Sequence, residues 1–172
     1  MFQRVMKELR GDAVIARYGC IGAVDDLYFD RDCWDVRYLL APPLLVSVAC
    51  IAGATPQRDR LLVNLSREQV ECGAGAWSVE SASRWLDDSR LCSGRAVVGM
   101  RVEAEDGAAG RVADLLVDDE QWSIEYLLVD ALVAGGGRQL LVPLDWVRPM
   151  DRAQGAVYLH RTRQELLSSP SL

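Results

Sequence analysis

An internal repeat restricts the folds open to this 172-residue chain more than any single motif does. Laying residues 16–40 over residues 104–128, a shift of 88, makes eleven of twenty-five positions identical. They are Ala16/Ala104, Gly19/Gly107, Gly22/Gly110, Val24/Val112, Asp26/Asp114, Leu27/Leu115, Asp30/Asp118, Trp34/Trp122, Tyr38/Tyr126, Leu39/Leu127 and Leu40/Leu128. From Leu44 onward the shift becomes 96, pairing Leu44-Leu45-Val46 with Leu140-Leu141-Val142 and Ser66-Arg67 with Thr162-Arg163. The difference of eight residues falls at 130–138, where the second copy has three consecutive glycines and the first has only Pro42-Pro43. The chain therefore builds one small structural plan twice.

Read locally, that plan is a run of short strands. Residues 14–17 and 98–104 are β-prone and lead into Gly19 and Gly107. The G-x-x-G spacing of Gly19/Gly22 and Gly107/Gly110 suits a tight reversal that needs positive φ. Residues 23–29 and 111–117 then read as half-buried strands. Acidic turns at 30–32 and 118–120 lead to strands over 34–40 and 122–129. A fourth strand is expected over 44–51 or 140–144, and a fifth over 61–65 or 156–160. Ser66-x-x-Gln69 and Thr162-x-x-Glu165 match the capping box, so one short helix closes each module. The boundaries that follow are 1–75 for repeat one, 76–91 for a linker and 92–172 for repeat two. The linker region is small, polar and turn-rich, with one helical turn after Ser81, and its Trp77 and Trp85 are expected to dock between the modules. Modules this small bury little surface alone, which favours an intramolecular pseudo-two-fold pair.

The order of elements in repeat two is Arg95-Ala-Val-Val-Gly-Met-Arg-Val as entry strand, Asp106-Gly-Ala-Ala-Gly as turn and Arg111-Val-Ala-Asp-Leu-Leu-Val as strand. Trp122-Ser-Ile-Glu-Tyr-Leu-Leu-Val, Leu140-Leu-Val-Pro-Leu-Asp-Trp-Val and Val157-Tyr-Leu follow. This order resembles the PRC-barrel family. Residues 16–40 and Leu62-Val-Asn-Leu-Ser-Arg-Glu-Gln resemble the same module in a degraded form. The family is named for the cytoplasmic domain of the photosynthetic reaction-centre H subunit and includes the C-terminal domain of a ribosome-maturation factor. The resemblance implies a mainly β fold of two tandem small PRC-type β-barrels, each closed by a short C-terminal helix, and docking onto a larger assembly. Repeat one departs from the pattern in its missing hairpin and in Tyr18, which stands where repeat two has Asp106.

Composition narrows the function classes. The net charge is −6, with −1 in residues 1–86 and −5 in residues 87–172, which argues against a phosphate-backbone binder. The five cysteines, Cys20, Cys33, Cys50, Cys72 and Cys92, show no C-x-x-C spacing, so neither a disulfide framework nor a zinc site is expected. No signal peptide or membrane-spanning stretch is read from the sequence, and a cytoplasmic location is the expectation. Asp26 and Asp114 could be paired acid–base carboxylates, but Asp at such positions more often accepts from turn amides. Asp118, Asp119 and Glu120 form a candidate acidic patch at a hairpin tip and lack the spacing of a calcium loop. Trp34 and Trp122 are expected to cap the two cores with their indole N–H groups bonded at the rim, and His160 stands alone without a nucleophile motif.

The expectation is a non-catalytic binding or scaffolding protein without a cofactor. Its partner is a protein or a complex, a membrane is reached only indirectly, and self-association is an additional option. Ala134, Gly135, Gly136, Gly137 and Arg138 are the candidate partner-binding loop, because loops on rigid scaffolds carry recognition. The alternatives are a ribosome-assembly accessory factor and a small-ligand or metal sensor.

Overall fold

The computed structural model describes residues 3–54, 59–87, 90–150 and 153–172. The protein is mainly β, with several sheets and short helices. The first half contains β1 (Gln3–Val5), α1 (Met6–Leu9), β2 (Ala13–Ala16), β3 (Gly19–Ala23), β4 (Asp26–Asp30) and β5 (Val36–Ala41). It continues with β6 (Leu44–Ser47), β7 (Ile51–Ala54), β8 (Arg60–Val63) and α2 (Arg67–Glu71). β9 (Ala76–Ser78) and α3 (Val79–Leu86) join the halves. The second half contains β10 (Leu91–Ser93), α4 (Gly94–Val97), β11 (Arg101–Ala104), β12 (Gly107–Asp118), β13 (Ser123–Ala131), β14 (Arg138–Pro143), β15 (Ala156–Tyr158) and α5 (Arg163–Leu167).

The first glycine of each G-x-x-G turn has φ of 134° at Gly19 and 133° at Gly107, values that a side chain disfavours. The second glycine answers to space, and at Gly110 also to a φ of 154°. A Cβ on Gly22 would lie 2.8 Å from the Ala41 carbonyl oxygen, and one on Gly110 would fall on the Asp130 carbonyl oxygen. Both therefore let the neighbouring strand pass at backbone distance. β12 is continuous over twelve residues and carries two register shifts against β13, each a point where a strand bends. It is the centre of a sheet ordered β14-β13-β12-β11-β15, with β1 added on β12. In repeat one the same path breaks at Val24 and Asp25, so its strands divide into the sheets β3-β2-β8-β7 and β10-β4-β5-β6-β9. The parallel pairings recur in register, Val14 with Leu61 and Val102 with Val157. Leu27 and Leu39, with their counterparts Leu115 and Leu127, belong to one continuous core that runs through both repeats.

The repeats exchange their leading strands. β1 pairs antiparallel with β12 as Gln3↔Asp118, Arg4↔Val117 and Val5↔Leu116. β10 pairs with β4 as Leu91↔Asp30, Cys92↔Phe29 and Ser93↔Tyr28. The shift of 88 converts one register into the other, residue for residue. Between them Asp35 bridges Ser123. The Val36 N–H donates to the Trp122 carbonyl at 2.7 Å, and the Ile124 N–H donates to the Trp34 carbonyl at 2.9 Å. A pseudo-two-fold axis passes between Asp35 and Ser123. The leading segments also meet each other, since a Cβ on Gly94 would fall on the Met6 sulfur.

Four local expectations change, the first being the strand over 44–51, which ends at Ser47 and gives way to a 3-10 turn at Val48–Cys50 before β7 starts in another sheet. Residues 95–102 do not form one entry strand: Gly94–Val97 is the helix α4, and the strand begins at Arg101. The cause is Ser93, whose Oγ accepts from the Ala96 N–H at 3.4 Å and starts the helical turn. The stretch after Gly75 holds a strand, β9 on β6, and a helix, α3, started by Ser78 Oγ accepting from the Ser81 N–H at 3.2 Å. Trp77 and Trp85 do not sit between the repeats. They pack on Tyr38 of β5 at ring distances of 5.7 and 5.2 Å and on each other at 5.7 Å. Both capping boxes form, at Ser66/Gln69 and Thr162/Glu165.

The two glycine roles can be separated. Gly110→Ala should destabilise the protein by more than ~2 kcal/mol, because backbone must move to admit the methyl. Gly107→Ala, with strain only in φ and open space around it, should cost about 1–2 kcal/mol. Urea unfolding of the two variants checks the order.

Candidate functional site

The hairpin between β13 and β14 is firmly based and open at its tip. Ala131 pairs with Arg138 at its foot, and the Leu132 N–H donates to the Ala109 carbonyl at 2.8 Å. Arg138 Nη1 donates to the Leu167 carbonyl at 3.4 Å, which ties the returning strand to α5. Ala134, Gly135, Gly136 and Gly137 form the exposed tip, with φ of 97° at Gly135 and 146° at Gly136. The sequence reading places the candidate surface on the 131–138 loop and names residues 134–138, without singling out the apolar pair Leu132 and Val133. Leu132 is 68% exposed and Val133 is 37% exposed. Two large apolar residues ahead of three glycines were the available signal. Beside the loop a groove of about 500 Å³ is lined by Arg101, Glu103, Arg111, Asp130 and Leu132. The site thus offers apolar contact framed by charges of both signs.

Asp26 and Asp114 are buried and occupy equivalent places. Each accepts at 2.8 Å from the next backbone N–H, that of Leu27 or Leu115. Each also reaches the leading segment of the other repeat. Asp26 accepts from the Arg95 N–H at 3.1 Å and from the Ser93 hydroxyl, whereas Asp114 accepts from the Lys7 N–H at 3.2 Å. Each carboxylate therefore clamps the first turn of an exchanged helix, α4 or α1, and the two serve structure as turn acceptors. Burial raises both carboxyls above the usual aspartate range, against the lowering effect of their hydrogen bonds.

The acidic turn faces inward more than its composition implies. Asp118 is buried, and its Oδ1 accepts from the N–H groups of Glu120 at 2.9 Å and Gln121 at 3.0 Å. Asp119 is half-buried, its carboxyl raised first by desolvation, and lies 3.9 Å from Arg4. Only Glu120 of the three is exposed. Asp106 holds the N–H of Arg163 at 2.8 Å at the start of α5, and this hydrogen bond lowers its carboxyl. At the equivalent place in repeat one, Arg67 lies over the Tyr18 ring at 5.2 Å. One contact replaces the other.

Trp34 and Trp122 are buried, and Trp34 stacks on Phe29 with ring centroids 5.0 Å apart. Neither indole N–H has a hydrogen-bond partner among the described residues. Their contribution lies in the backbone, at φ of 64° and 53°. His160 is exposed. Among the described residues no three His, Cys, Asp or Glu side chains gather as around a metal ion, and no helix is long and apolar enough to cross a membrane. No protein-family model matches the chain, and no curated protein matches it either.

Asp26 and Asp114 set a pH dependence with a definite sign. A carboxyl raised on folding adds stability that is fully present below its unfolded value, near 3.8, and is lost as pH rises through the folded value. Urea unfolding at pH 7 and pH 4.5 should therefore show wild type gaining on Asp26→Asn as the pH falls. Asp26→Ala should cost about 1–3 kcal/mol at either pH, because the Leu27 and Arg95 N–H groups lose their acceptor.

Proposed function

We propose that each repeat is a PRC-type β-barrel and that the chain is a non-catalytic adaptor. It docks on a protein or on a membrane-associated complex through the 131–138 hairpin of repeat two. Support for the barrel reading comes from the strand path. In both repeats the strand after the G-x-x-G turn is bulged or broken, and a late strand returns to pair in parallel with the first. Ile51↔Val63 and Val147↔Leu159 then bring the next segment alongside that late strand at equivalent positions.

The docking reading rests on one observation, the exposure of Leu132 and Val133 on a hairpin that repeat one replaces with Pro42-Pro43. Large apolar side chains presented on a fixed hairpin are what a protein partner desolvates. The groove charges beside them, Arg101, Glu103, Arg111 and Asp130, suit a polar rim that sets orientation.

Crosslinked capture of the tagged chain from its native host, with membrane and soluble fractions run separately, tests this reading. The double variant Leu132→Asp/Val133→Asp should lose at least tenfold of one enriched complex. Its melting temperature should stay within about 2 °C of wild type, since exposed substitutions rarely move stability further. Equal capture by the variant would place docking elsewhere.

A further inference from the structure

We propose that the cavity enclosed by α3, β4 and the exchanged β10–α4 segment binds a small amphipathic anion, an apolar chain or ring whose carboxylate meets Arg31. The pseudo-two-fold relation supplies the comparison that carries this. On one side of the axis, Arg4 of β1 is buried in a cluster of charged groups. It donates to both oxygens of Asp12, at 2.7 and 3.1 Å, and to the Glu8 carbonyl at 2.8 Å, with Asp119 at 3.9 Å. The shift of 88 carries Arg4, Asp12 and Asp119 onto Cys92, Met100 and Arg31. There the ion cluster is gone, and a cavity of about 500 Å³ opens instead.

Its lining defines the ligand. Arg31, Cys92 and Met100 line it together with Val79 and Leu86 of α3 and with Met150. The volume lies within the usual range for small-molecule sites, about 300–1,000 Å³. The walls are mainly apolar, with Tyr28, Ser83 and Ser93 adding polar edges, and methionine and thiol groups adapt to irregular apolar shapes. The Arg31 guanidinium has neither a hydrogen bond nor an ion pair among the described residues. Arg31 stands at the chain position that Asp119 holds in repeat two, while Arg4 and Asp12, the other charges of that cluster, correspond to Cys92 and Met100. The other charged group of the lining, Asp87, makes contacts of its own and lies close enough to Tyr28 to help raise its phenol, after the larger effect of burial. The charge left without a partner is positive, so the ligand that completes the cavity is an anion with an apolar body.

The site is separate from the docking hairpin, so either reading can fail without the other. The test is calorimetric titration of the full chain with decanoate, with decanol and decyltrimethylammonium as uncharged and cationic probes of equal chain length. Decanoate should bind saturably at one site, and more tightly than either control. Arg31→Ala should weaken decanoate about tenfold and leave decanol unchanged, with Arg31→Lys between wild type and the alanine variant. Ser83→Phe, which adds bulk to the lining from an exposed position on α3, should weaken both probes while leaving the melting temperature near wild type. Absence of saturable decanoate binding up to about 1 mM would overturn the proposal. So would equal decanoate affinity in wild type, Arg31→Ala and Ser83→Phe, or preference for the cationic probe.

Discussion

The reciprocal hydrogen bonds from Val36 to Trp122 and from Ile124 to Trp34 are made by tryptophans that sit in the left-handed region, at φ of 53° and 64°. For a bulky residue that conformation costs about 1–3 kcal/mol. It persists because the surroundings over-determine it. The left-handed turn directs the tryptophan carbonyl toward the other repeat, and the buried indole anchors the turn in its own repeat. The exchanged strands depend on this crossing, because β1 and β10 reach the opposite sheets only when the repeats stand face to face. Asp26 and Asp114 then fasten the exchanged segments at their first helical turns. A single core and a single axis follow from these reciprocal contacts.

Symmetry in this molecule is a scaffold, and its departures differ in what they leave exposed or unpaired. Pro42-Pro43 closes a turn in repeat one, whereas repeat two extends the same turn into an apolar hairpin. Arg4, Asp12 and Asp119 fill one locus, whereas Cys92, Met100 and Arg31 leave its counterpart open. Tyr18 with Arg67 and Asp106 with Arg163 are different solutions to one packing need, and neither creates a site. Divergence alone is therefore not evidence of function. It matters where it exposes apolar surface or leaves a charge without a partner.

What could be read from the sequence was local. The repeat, its hairpins and the two capping boxes are written in identities, glycines and hydroxyls a few residues apart, and those short-range preferences survived in the fold. The exchange was hidden because β1 and β10 are three residues each, too short for any periodicity, and Gln3-Arg4-Val5 shares no identity with Leu91-Cys92-Ser93. Helix α3 could have been found from Val79, Ala82 and Leu86 at helical spacing behind Ser78, but its serines read as linker. The hairpin was recognisable from its glycines, whereas the exposure of Leu132 depends on how β13 and β14 present it. The cavity could not have been read at all. It arises from residues far apart in the chain, and its meaning comes from an ion cluster on the other side of the axis.

Native-state hydrogen exchange at the Val36 and Ile124 amides tests the interlocked pair most directly. If the repeats form one cooperative unit, these two amides open with the free energy of global unfolding, as do amides inside β5 and β13. Exchange of Val36 and Ile124 at clearly lower free energy, while β5 and β13 stay protected, would mean that the repeats separate as independent units and would contradict the account.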